Sequence, residues 1–589
     1  MKSMIKLLRF MKPYRVPLIF VLVLALAQSA ANLYLPNLMA NIVDNGILKV
    51  DHGVIKPDIG YIWEIGGLML LVTIGGTIAA IAGSFFSSRV ATGYGKQLRY
   101  NLFTHVEQFS LHAFDEMSTA SLITRTTNDT TQVQQVMIMI LGFLITAPMT
   151  LVVGVILAVQ QDATLSWILV VIIPILVGSI ALLMSRAVPL FRVVQKKLDK
   201  INLILDEGLT GVRVIRAFDR VKHEEQRFDE ANRDLTGVTI KVNQIVATLM
   251  PLMMFVLNVS SVAILWFSSI LINNGSMQVG AMIAFLQYAM QILFALLMVS
   301  MMFIMIPRAA ASADRIEEVL MLRPGIKDPD QGKLAEEMSG YVEFRDVTFS
   351  YPGAEEPALS HINFSARPGE VTAIIGGTGA GKSTLVSLIP RFYDIDSGQV
   401  LVDGVDTREM SQEHLRAKIG FVPQKAVLFS GTINENIRYG KEDATDEEIY
   451  HAAAVAQASD FIGDMPDGFD SVIAQGGNNV SGGQKQRLSI ARALVRKPEI
   501  YVFDDTFSAL DFKTDARLRS ALKKETVNAT VVIVAQRVST VMDADQIIVL
   551  DEGHVAGIGT HRELMKTCEV YVEIVTSQLS LEEIAEEIA

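Results

Sequence analysis

Six long runs without a single Lys, Arg, Asp or Glu constrain this chain more than any other feature of its sequence. A helix that crosses a bilayer needs about 20 mostly apolar residues, and every run exceeds that length. Helices buried in a soluble domain would need polar faces, which uncharged runs of this length do not provide. We therefore predict six membrane-spanning helices, at Val16–Met39, Ile65–Phe86, Val136–Val159, Ala163–Ser185, Ile245–Ile272 and Val279–Ile306.

The basic residues between these runs indicate the orientation of the chain. The loop between the first and second runs carries only Lys49 and Lys56, and loops rich in Lys and Arg stay in the cytoplasm. We expect a multi-pass protein of a bacterial cytoplasmic membrane, with both termini in the cytoplasm. The connection between the fourth and fifth runs is strongly basic, with Arg186, Arg192, Lys196, Lys197, Lys200, Arg213, Arg216, Arg220, Lys222, Arg227, Arg233 and Lys241.

The segments on either side of the membrane region differ from it in composition. The first 15 residues, MKSMIKLLRFMKPYR, are basic and amphipathic, and no small-residue cleavage site follows them. We predict an interfacial elbow helix over 1–15 and a transmembrane domain over 16–308. We also predict a charged linker over 309–340 and an acidic tail over 577–589. The region between them has the composition of a soluble domain.

Composition excludes several classes of function. The chain has 51 basic and 63 acidic residues and a formal charge of −12, which is unfavourable for nucleic-acid binding. A single cysteine, Cys568, allows no internal disulfide and argues against a thiolate metal cluster.

Residues 341–576 show the pattern of an α/β domain. The stretch YVEFRDVTFSY alternates like a half-buried strand. The runs VTAIIGG, IYVFDD, VVIVAQ and QIIVLDEG are short and apolar and end in polar or turn residues, as buried parallel strands do. We therefore expect an all-α transmembrane domain followed by an α/β domain with a parallel sheet.

The segment GGTGAGKS follows one of these strands and opens a helix, which is the context that a phosphate-binding P-loop requires. Its glycines allow backbone N–H groups to surround phosphate oxygens, Lys382 can reach the β- and γ-phosphates, and Ser383 can bind Mg²⁺. Asp504, at the end of an apolar strand, is the expected second Mg²⁺ ligand. The predicted P-loop consists of Gly376, Gly377, Thr378, Gly379, Ala380, Gly381, Lys382 and Ser383, followed by Thr384.

The segment VSGGQKQRLSIARAL, about 100 residues after the P-loop, resembles the signature motif of ATP-binding cassette (ABC) proteins. Together with six preceding spans it resembles a half-transporter of the type IV, multidrug-type ABC exporters. The resemblance covers nearly the whole chain and implies ATP and Mg²⁺ as cofactors. It also implies a dimer in which each ATP site takes the P-loop from one subunit and the signature from the other.

The resemblance assigns further residues. Tyr351 occupies the position of the aromatic that stacks on adenine, and Gln424 that of the glutamine that contacts Mg²⁺ and senses the membrane domain. Turns near His112–Leu122 and Val214–Arg220 occupy the positions that contact a nucleotide-binding domain. The signature residues that reach the opposite site are Ser481, Gly482, Gly483 and Gln484, and the D-loop includes Ser508 and Asp511.

Two residues depart from the family pattern at the catalytic step. Asp505 stands where the family has the glutamate that activates water, and its carboxylate should stop about 1.5 Å short, one C–C bond. A misplacement of about 1 Å can reduce a rate ~100-fold. Gln536 stands where the family has a histidine, and it cannot become cationic as histidine does. These departures predict a site that binds ATP and hydrolyses it poorly.

An intact signature beside an impaired site predicts a heterodimer. The partner would be a different half-transporter that supplies the catalytic Glu and the switch His, and this chain would complete the partner's site. The alternatives are a slow homodimeric exporter or lipid flippase, and a channel or regulatory subunit that uses ATP only as a ligand.

The membrane runs bear on the cargo. They lack charged residues, which favours lipophilic or amphipathic small molecules alongside membrane lipid. Methionine suits adaptable apolar surfaces, so runs five and six are candidates for a cargo cavity, although packing or lipid contact explains methionines equally well. These runs contain Met250, Met253, Met254, Met282, Met290, Met298, Met301, Met302 and Met305, with Asn258, Gln287 and Gln291.

Overall fold

The computed structural model describes residues 2–51, 54–143, 146–322, 325–334 and 339–579, without the side chains of 50–51, 54–55, 115 and 300–304. The chain divides into two compact units. The first comprises Met1–Glu107 and Ala120–Leu322, and the second comprises Gln108–Thr119 and Arg323–Ala589. Most of the predicted acidic tail, from residue 580 onward, lies outside the described residues.

The first unit is helical, as predicted, apart from one short antiparallel pair of strands, Val50–Asp51 with Val54–Ile55. Within the described part of the chain, six helical segments are long and apolar enough to cross a membrane. A short helix, Lys2–Leu7, and a 3₁₀ turn, Leu8–Tyr14, precede them. The long helices are Arg15–Asn41, Ile59–Val106, Thr130–Phe143 with Thr146–Gln161, Ser166–Thr210, Val221–Asn273 and Val279–Met321.

The three longest of these helices are much longer than a bilayer requires. Ile59–Val106 has 48 residues, Ser166–Thr210 has 45 and Val221–Asn273 has 53. At ~1.5 Å per residue they measure about 70–80 Å, against a hydrocarbon core of ~30 Å. Each helix therefore continues well beyond the apolar run from which it was predicted.

The last helix of this unit runs to Met321, past residue 308 where we predicted the transmembrane domain to end. Part of the reason is an ion pair between the buried Asp129 and the half-exposed Arg315. The Asp129 carboxylate, which is 3% exposed, accepts hydrogen bonds from the Ser312 hydroxyl at 2.8 Å and from Arg315 Nε at 2.8 Å. These bonds fix the final turns of the helix to the segment around Asp129 inside the same unit.

The turn between the fourth and fifth long helices contains a short helix, Val212–Ala217. Val214 is 61% exposed and Phe218 is 74% exposed. An apolar turn that is open to solvent in one chain fits a contact surface. The role of this turn, and of the segment near His112, in contacting a nucleotide-binding domain stays a prediction.

The second unit contains twelve described strands, which we number from its start. They are β1 (Val342–Phe349), β2 (Leu359–Ala366), β3 (Val371–Gly376), β4 (Ser397–Val402), β5 (Val405–Asp406), β6 (Ile419–Val422), β7 (Gly431–Thr432), β8 (Val472–Ile473), β9 (Ile500–Asp504), β10 (Thr530–Val534), β11 (Gln546–Asp551) and β12 (His554–Gly559).

The strands form two main sheets. The larger has the order β12-β11-β3-β10-β9-β6 and is parallel apart from its β11–β12 pair. The smaller has the order β2-β1-β4-β5 and is antiparallel. Strands β3, β9, β10 and β11 coincide with the apolar runs from which buried parallel strands were predicted, so the predicted fold class is confirmed.

The register of the parallel sheet positions the candidate site. Asp504 on β9 pairs with Val534 on β10, and Val534 pairs with Ile374 on β3. The carboxyl ends of these three neighbouring strands therefore meet at one edge of the sheet, where ligands bind in open α/β sheets. The P-loop follows β3, and Asp505 and Gln536 follow β9 and β10.

Candidate nucleotide-binding site

Glycine is required in the P-loop for two different reasons. Gly379 and Gly381 have φ angles of 89° and 93°, which L side chains rarely adopt. A Cβ on Gly381 would also lie 2.8 Å from Leu359 Cδ2 and 2.9 Å from the Ala358 carbonyl oxygen. The backbone of this loop therefore requires glycine at both positions, and its role in binding phosphate stays a prediction.

Lys382 directs its ammonium back onto the P-loop. Its Nζ donates to the carbonyl oxygens of Gly376 at 3.0 Å and Gly377 at 2.6 Å. Burial lowers the pKa of Lys382, and the charges of Asp505 and Asp504 oppose that shift. The side chain is 9% exposed, so a partly desolvated cation stands at the position where nucleotide phosphates are expected.

Ser383 and Asp504 form a pair of oxygen donors. The Ser383 hydroxyl donates to Asp504 Oδ1 at 2.8 Å. Burial raises the pKa of Asp504, the neighbouring charge of Asp505 raises it further, and the bond from Ser383 lowers it. Mg²⁺ prefers oxygen ligands and is usually held by one or two carboxylates together with substrate phosphates. The pair therefore fits Mg²⁺, which would neutralise phosphate charge.

The two residues that depart from the family pattern contact each other directly. Asp505 Oδ2 accepts hydrogen bonds from Gln536 Nε2 at 2.7 Å and from Gln424 Nε2 at 3.1 Å. Burial raises the pKa of Asp505, while hydrogen bonds from Gln424 and Ser508 lower it. One oxygen of Asp505 thus lies between the side-chain amides of Gln536 and Gln424. The sequence predicted these three residues separately, and the structure places them in contact.

The backbone at Asp505 is also unusual. Its φ is 44°, a left-handed conformation that is costly for a residue with a side chain. The Ser508 hydroxyl donates to the Asp505 carbonyl at 2.9 Å, and the Asp505 N–H donates to the Val534 carbonyl at 3.1 Å. These bonds hold the strained residue in place and fix the direction of its short carboxylate.

Tyr351 lies beside the P-loop helix. Its hydroxyl is 3.0 Å from the Thr384 hydroxyl, and its ring packs edge-on against Phe349 and Tyr393. The ring is 39% exposed, so part of its face is open. This position is compatible with the predicted contact to adenine.

One cavity collects most of these residues. It has a volume of about 320 Å³, within the usual size range of small-molecule sites. Among the predicted site residues it does not include Gly376, Gly377, Ala380, Asp504, the signature or the D-loop. Its walls are Tyr351, Ala358, Thr378, Gly379, Gly381, Lys382, Ser383, Thr384, Gln424, Asp505, Val534 and Gln536.

The signature begins an α-helix, Gly482–Leu494. Ser481 caps it: Gln484 N–H donates to Ser481 Oγ at 3.3 Å, and Ser481 N–H donates to Gln484 Oε1 at 2.8 Å. Ser481 and Gly482 are exposed. The signature therefore presents a well-ordered helix start at the surface of this unit, while the D-loop residue Asp511 caps the helix Phe512–Glu525.

Gln578 is a contact of the site that the sequence did not reveal. Its Oε1 accepts the Val538 N–H at 2.9 Å, and its Nε2 donates to the Gln536 carbonyl at 2.8 Å. Through these two bonds, Gln578, at the end of the helix Glu569–Gln578, holds the backbone on both sides of Arg537, next to the switch position Gln536. A separation of about 40 residues without a motif leaves no sequence signal for this contact.

Comparison with known proteins agrees with this arrangement. The pattern of the ABC transporter transmembrane region matches residues 18–297, and the ABC transporter pattern matches residues 359–508. An uncharacterized ABC transporter ATP-binding protein of Mycobacterium tuberculosis is 43% identical over 571 residues, which is 96% of this chain and 97% of that protein. The chain belongs to the ABC transporters. Its two domains make it a half-transporter of the exporter type with an ATPase domain, in a bacterial membrane.

Other ABC proteins carry more informative names. The ATP-dependent lipid A-core flippase of Syntrophus aciditrophicus is 32% identical, covering 86% of this chain and 84% of the flippase. A putative multidrug export ATP-binding/permease protein of Bacillus subtilis is 31% identical, covering 98% and 100%. The solved structure of a bacterial Atm1-family ABC exporter with ATP bound matches with a TM-score of 0.80 at 26% identity, covering 96% and 99%.

Replacing Asp504 with Asn should stabilise the nucleotide-free chain and remove its stabilisation by ATP and Mg²⁺. Because burial raises the pKa of Asp504, its ionised form destabilises the folded state at neutral pH, and Asn removes that charge. We expect the unfolding temperature to rise, by about 2–4 °C for each kcal/mol recovered. The gain should shrink as the pH falls through the raised pKa, where Asp504 becomes protonated.

Thermal unfolding in detergent at neutral and acidic pH, with and without Mg-ATP, measures both effects. The exposed Asp464 supplies the control, since Asp464→Asn should change neither quantity. A lower unfolding temperature at neutral pH for Asp504→Asn, or an unchanged response to Mg-ATP, contradicts the prediction.

Proposed function

We propose that this chain is one half of a heterodimeric ABC exporter, with an ATP site of its own that binds ATP and Mg²⁺ but hydrolyses ATP poorly. The observation that carries the proposal is the 2.7 Å hydrogen bond between Asp505 and Gln536. The two positions at which the family places its general base and its switch histidine are occupied here by residues that engage each other.

The bond bears on catalysis in two ways. Asp505 Oδ2 already accepts hydrogen bonds from two amides, so the attacking water must compete with them for this oxygen. The Asp505 side chain is also one methylene shorter than that of glutamate. Its carboxylate therefore ends about 1.5 Å short of the position that the carboxylate of the family's glutamate reaches. Efficient general-base catalysis needs the base within hydrogen-bond reach of the water.

Nucleotide binding has a different set of residues, and none of them is altered. Lys382, Ser383 and Asp504 meet at the strand ends, and Tyr351 lies beside the P-loop helix. The proposed result is a site that retains ATP for long periods and serves as a stable half of the dimer interface.

The signature gives the chain its part in hydrolysis elsewhere. Ser481, Gly482, Gly483 and Gln484 are capped and accessible, so they can complete the ATP site of a partner that carries Glu and His. Closure of two nucleotide-binding domains on ATP would then switch the membrane halves between inward and outward access. The proposal places both termini in the cytoplasm, consistent with the basic loops.

The cargo that we propose is lipophilic or amphipathic. The membrane runs lack charged residues, and two relatives are named a lipid A-core flippase and a putative multidrug exporter. A homodimeric exporter or flippase would share this cargo class, so the composition of the active transporter decides between the two arrangements.

ATPase assays on the chain purified alone, and on the chain co-purified with a candidate partner half-transporter, test the proposal. We expect slow turnover alone and a large increase in the complex. Identifying the nucleotides retained after turnover should reveal ATP at this chain's site. Brisk ATP hydrolysis by the chain alone, at both of its interfaces, would refute the heterodimer.

A further inference from the structure

A cavity inside the first unit lies between three of the long helices and has a volume of about 670 Å³. Its walls include four amide side chains at helical spacing, Gln28 and Asn32 on Arg15–Asn41 and Gln287 and Gln291 on the last helix. Residues four apart lie on the same helix face. Two helices therefore each turn a pair of amides toward one space.

These amides lie at the depth of the hydrocarbon core. Gln287 and Gln291 follow the start of their helix at Val279 by about 12 and 18 Å, at ~1.5 Å per residue, in a core of ~30 Å. Gln28 lies at the centre of Arg15–Asn41. An amide at this depth is costly unless it has a hydrogen-bond partner.

Among the described residues, these amides have few hydrogen-bond partners. Gln291 Nε2 donates to the Asn32 carbonyl at 3.5 Å, the outer limit for such a bond. Thr146 and Thr150, from the third span, add hydroxyls to the same cavity, although the Thr146 hydroxyl also donates to the Gly142 carbonyl at 3.1 Å. The cavity thus presents donors and acceptors that a hydrogen-bonding guest can satisfy.

The remaining walls are large and adaptable. Met290, Phe294 and Met298 line the cavity from the last helix, and Met290 and Phe294 are 44% and 58% exposed. Close helix–helix packing in membranes uses small residues such as Gly and Ala, so this composition favours a ligand over a partner helix. Methionine and aromatic residues beside a few polar groups are typical of adaptable binding sites.

The described walls of the cavity also carry no charged side chain. None of its lining residues is Asp, Glu, Lys, Arg or His, and a charged group at membrane depth needs a paired charge or water. A cationic drug or an anionic headgroup would therefore find no counter-ion here, whereas a neutral molecule would bring no unpaired charge into the cavity.

We propose that this cavity is a cargo site for neutral amphipathic compounds that carry several amide, carbonyl or hydroxyl groups. The inference rests on the proposed export function and narrows its cargo class. The four amides and two threonines would hydrogen-bond to the polar groups of the cargo, and the Met and Phe side chains would pack against its apolar part.

Equilibrium binding to the purified chain in lipid nanodiscs, without nucleotide, tests the site. The probes are three dansylated dipeptide amides of similar size: a neutral one, one with a lysine side chain and one with a glutamate side chain. We expect the neutral probe to bind at least about tenfold more tightly than either charged probe. Equal or tighter binding of a charged probe overturns the proposal.

The double variant Gln287→Leu/Gln291→Leu should weaken binding of the neutral probe about tenfold, the effect of losing two ordinary hydrogen bonds. Asn258→Leu is the matched control, because Asn258 is an exposed amide in a membrane helix and is not among the cavity residues. Equal losses in the two variants, or unchanged binding in the double variant, overturns the cargo site. Because this assay uses neither ATP nor a partner, its result is independent of whether the heterodimer proposal holds.

Discussion

Replacing Asp505 with Glu and Gln536 with His together should raise the ATP turnover of this chain, purified alone, by about 100-fold. That is the order of the loss expected when a catalytic group is misplaced by about 1 Å. The first substitution lengthens the carboxylate by one methylene, and the second restores a side chain that can carry a proton. The P-loop, the Mg²⁺ ligands and the signature need no change, because they already match the family pattern.

The structure also predicts how the single variants behave. In the parent chain Gln536 and Gln424 both donate to one oxygen of Asp505. Asp505→Glu alone leaves a carboxylate that still faces two amides, and Gln536→His alone leaves a carboxylate that is still too short. We therefore expect each single variant to raise the logarithm of ATP turnover by much less than half of the increase in the double variant. The reason is that the effects of substituting two contacting residues are not additive. Steady-state ATPase assays on the four proteins measure this coupling, and full recovery by one substitution would contradict it.

The second large effect should appear in the assembled transporter. Gly482→Asp should reduce its ATP turnover by about 100-fold or more, because a carboxylate would oppose the γ-phosphate where the site normally stabilises negative charge. A Cβ on Gly482 meets no atom within 4 Å in this chain. The substitution should therefore leave the folded chain intact, and any loss should arise at the site that the partner shares.

Two comparisons make this result informative. Asp505→Asn should change the same turnover by less than about twofold, because general-base catalysis at this site contributes little. Gly463→Asp is the matched control, since Gly463 also has open space around its Cβ position and is not one of the signature residues. Comparable losses from Gly482→Asp and Asp505→Asn would indicate two equivalent sites and rule out the asymmetry.

Much of the fold was predictable because solvent imposes simple patterns on the sequence. Uncharged runs predicted the membrane helices, and short apolar runs predicted strands β3, β9, β10 and β11. The convergence of the P-loop with Asp504 was also predictable, because parallel strands place their carboxyl ends at one edge. The bounds of the helices were less predictable. The helix Ser166–Thr210 begins three residues after the predicted start, because the Asp162 side chain accepts hydrogen bonds from the N–H groups of Thr164 and Leu165.

Contacts between distant side chains were not predictable. The sequence marked Asp505 and Gln536 as separate departures, and only the fold reveals that they share a hydrogen bond. The methionines of runs five and six were candidates for a cargo cavity. The structure places Met290 and Met298 in the cavity wall but none of the methionines of Val221–Asn273. Met253 is instead 1% exposed and packs in a core, while Met301 and Met302 lie outside the described side chains.

The two hydrogen bonds between Gln578 and the backbone around Gln536 have a practical consequence for protein engineering. A truncated protein that ends before residue 578 lacks the Gln578 side chain, and a bulky tag fused directly after residue 578 would displace it. Either change would break the hydrogen bonds that this side chain forms with the Gln536 carbonyl and the Val538 N–H. Kinetic measurements on such versions would then report a loosened switch segment as well as the substitution under study. Truncated versions should therefore retain the helix Glu569–Gln578 in full.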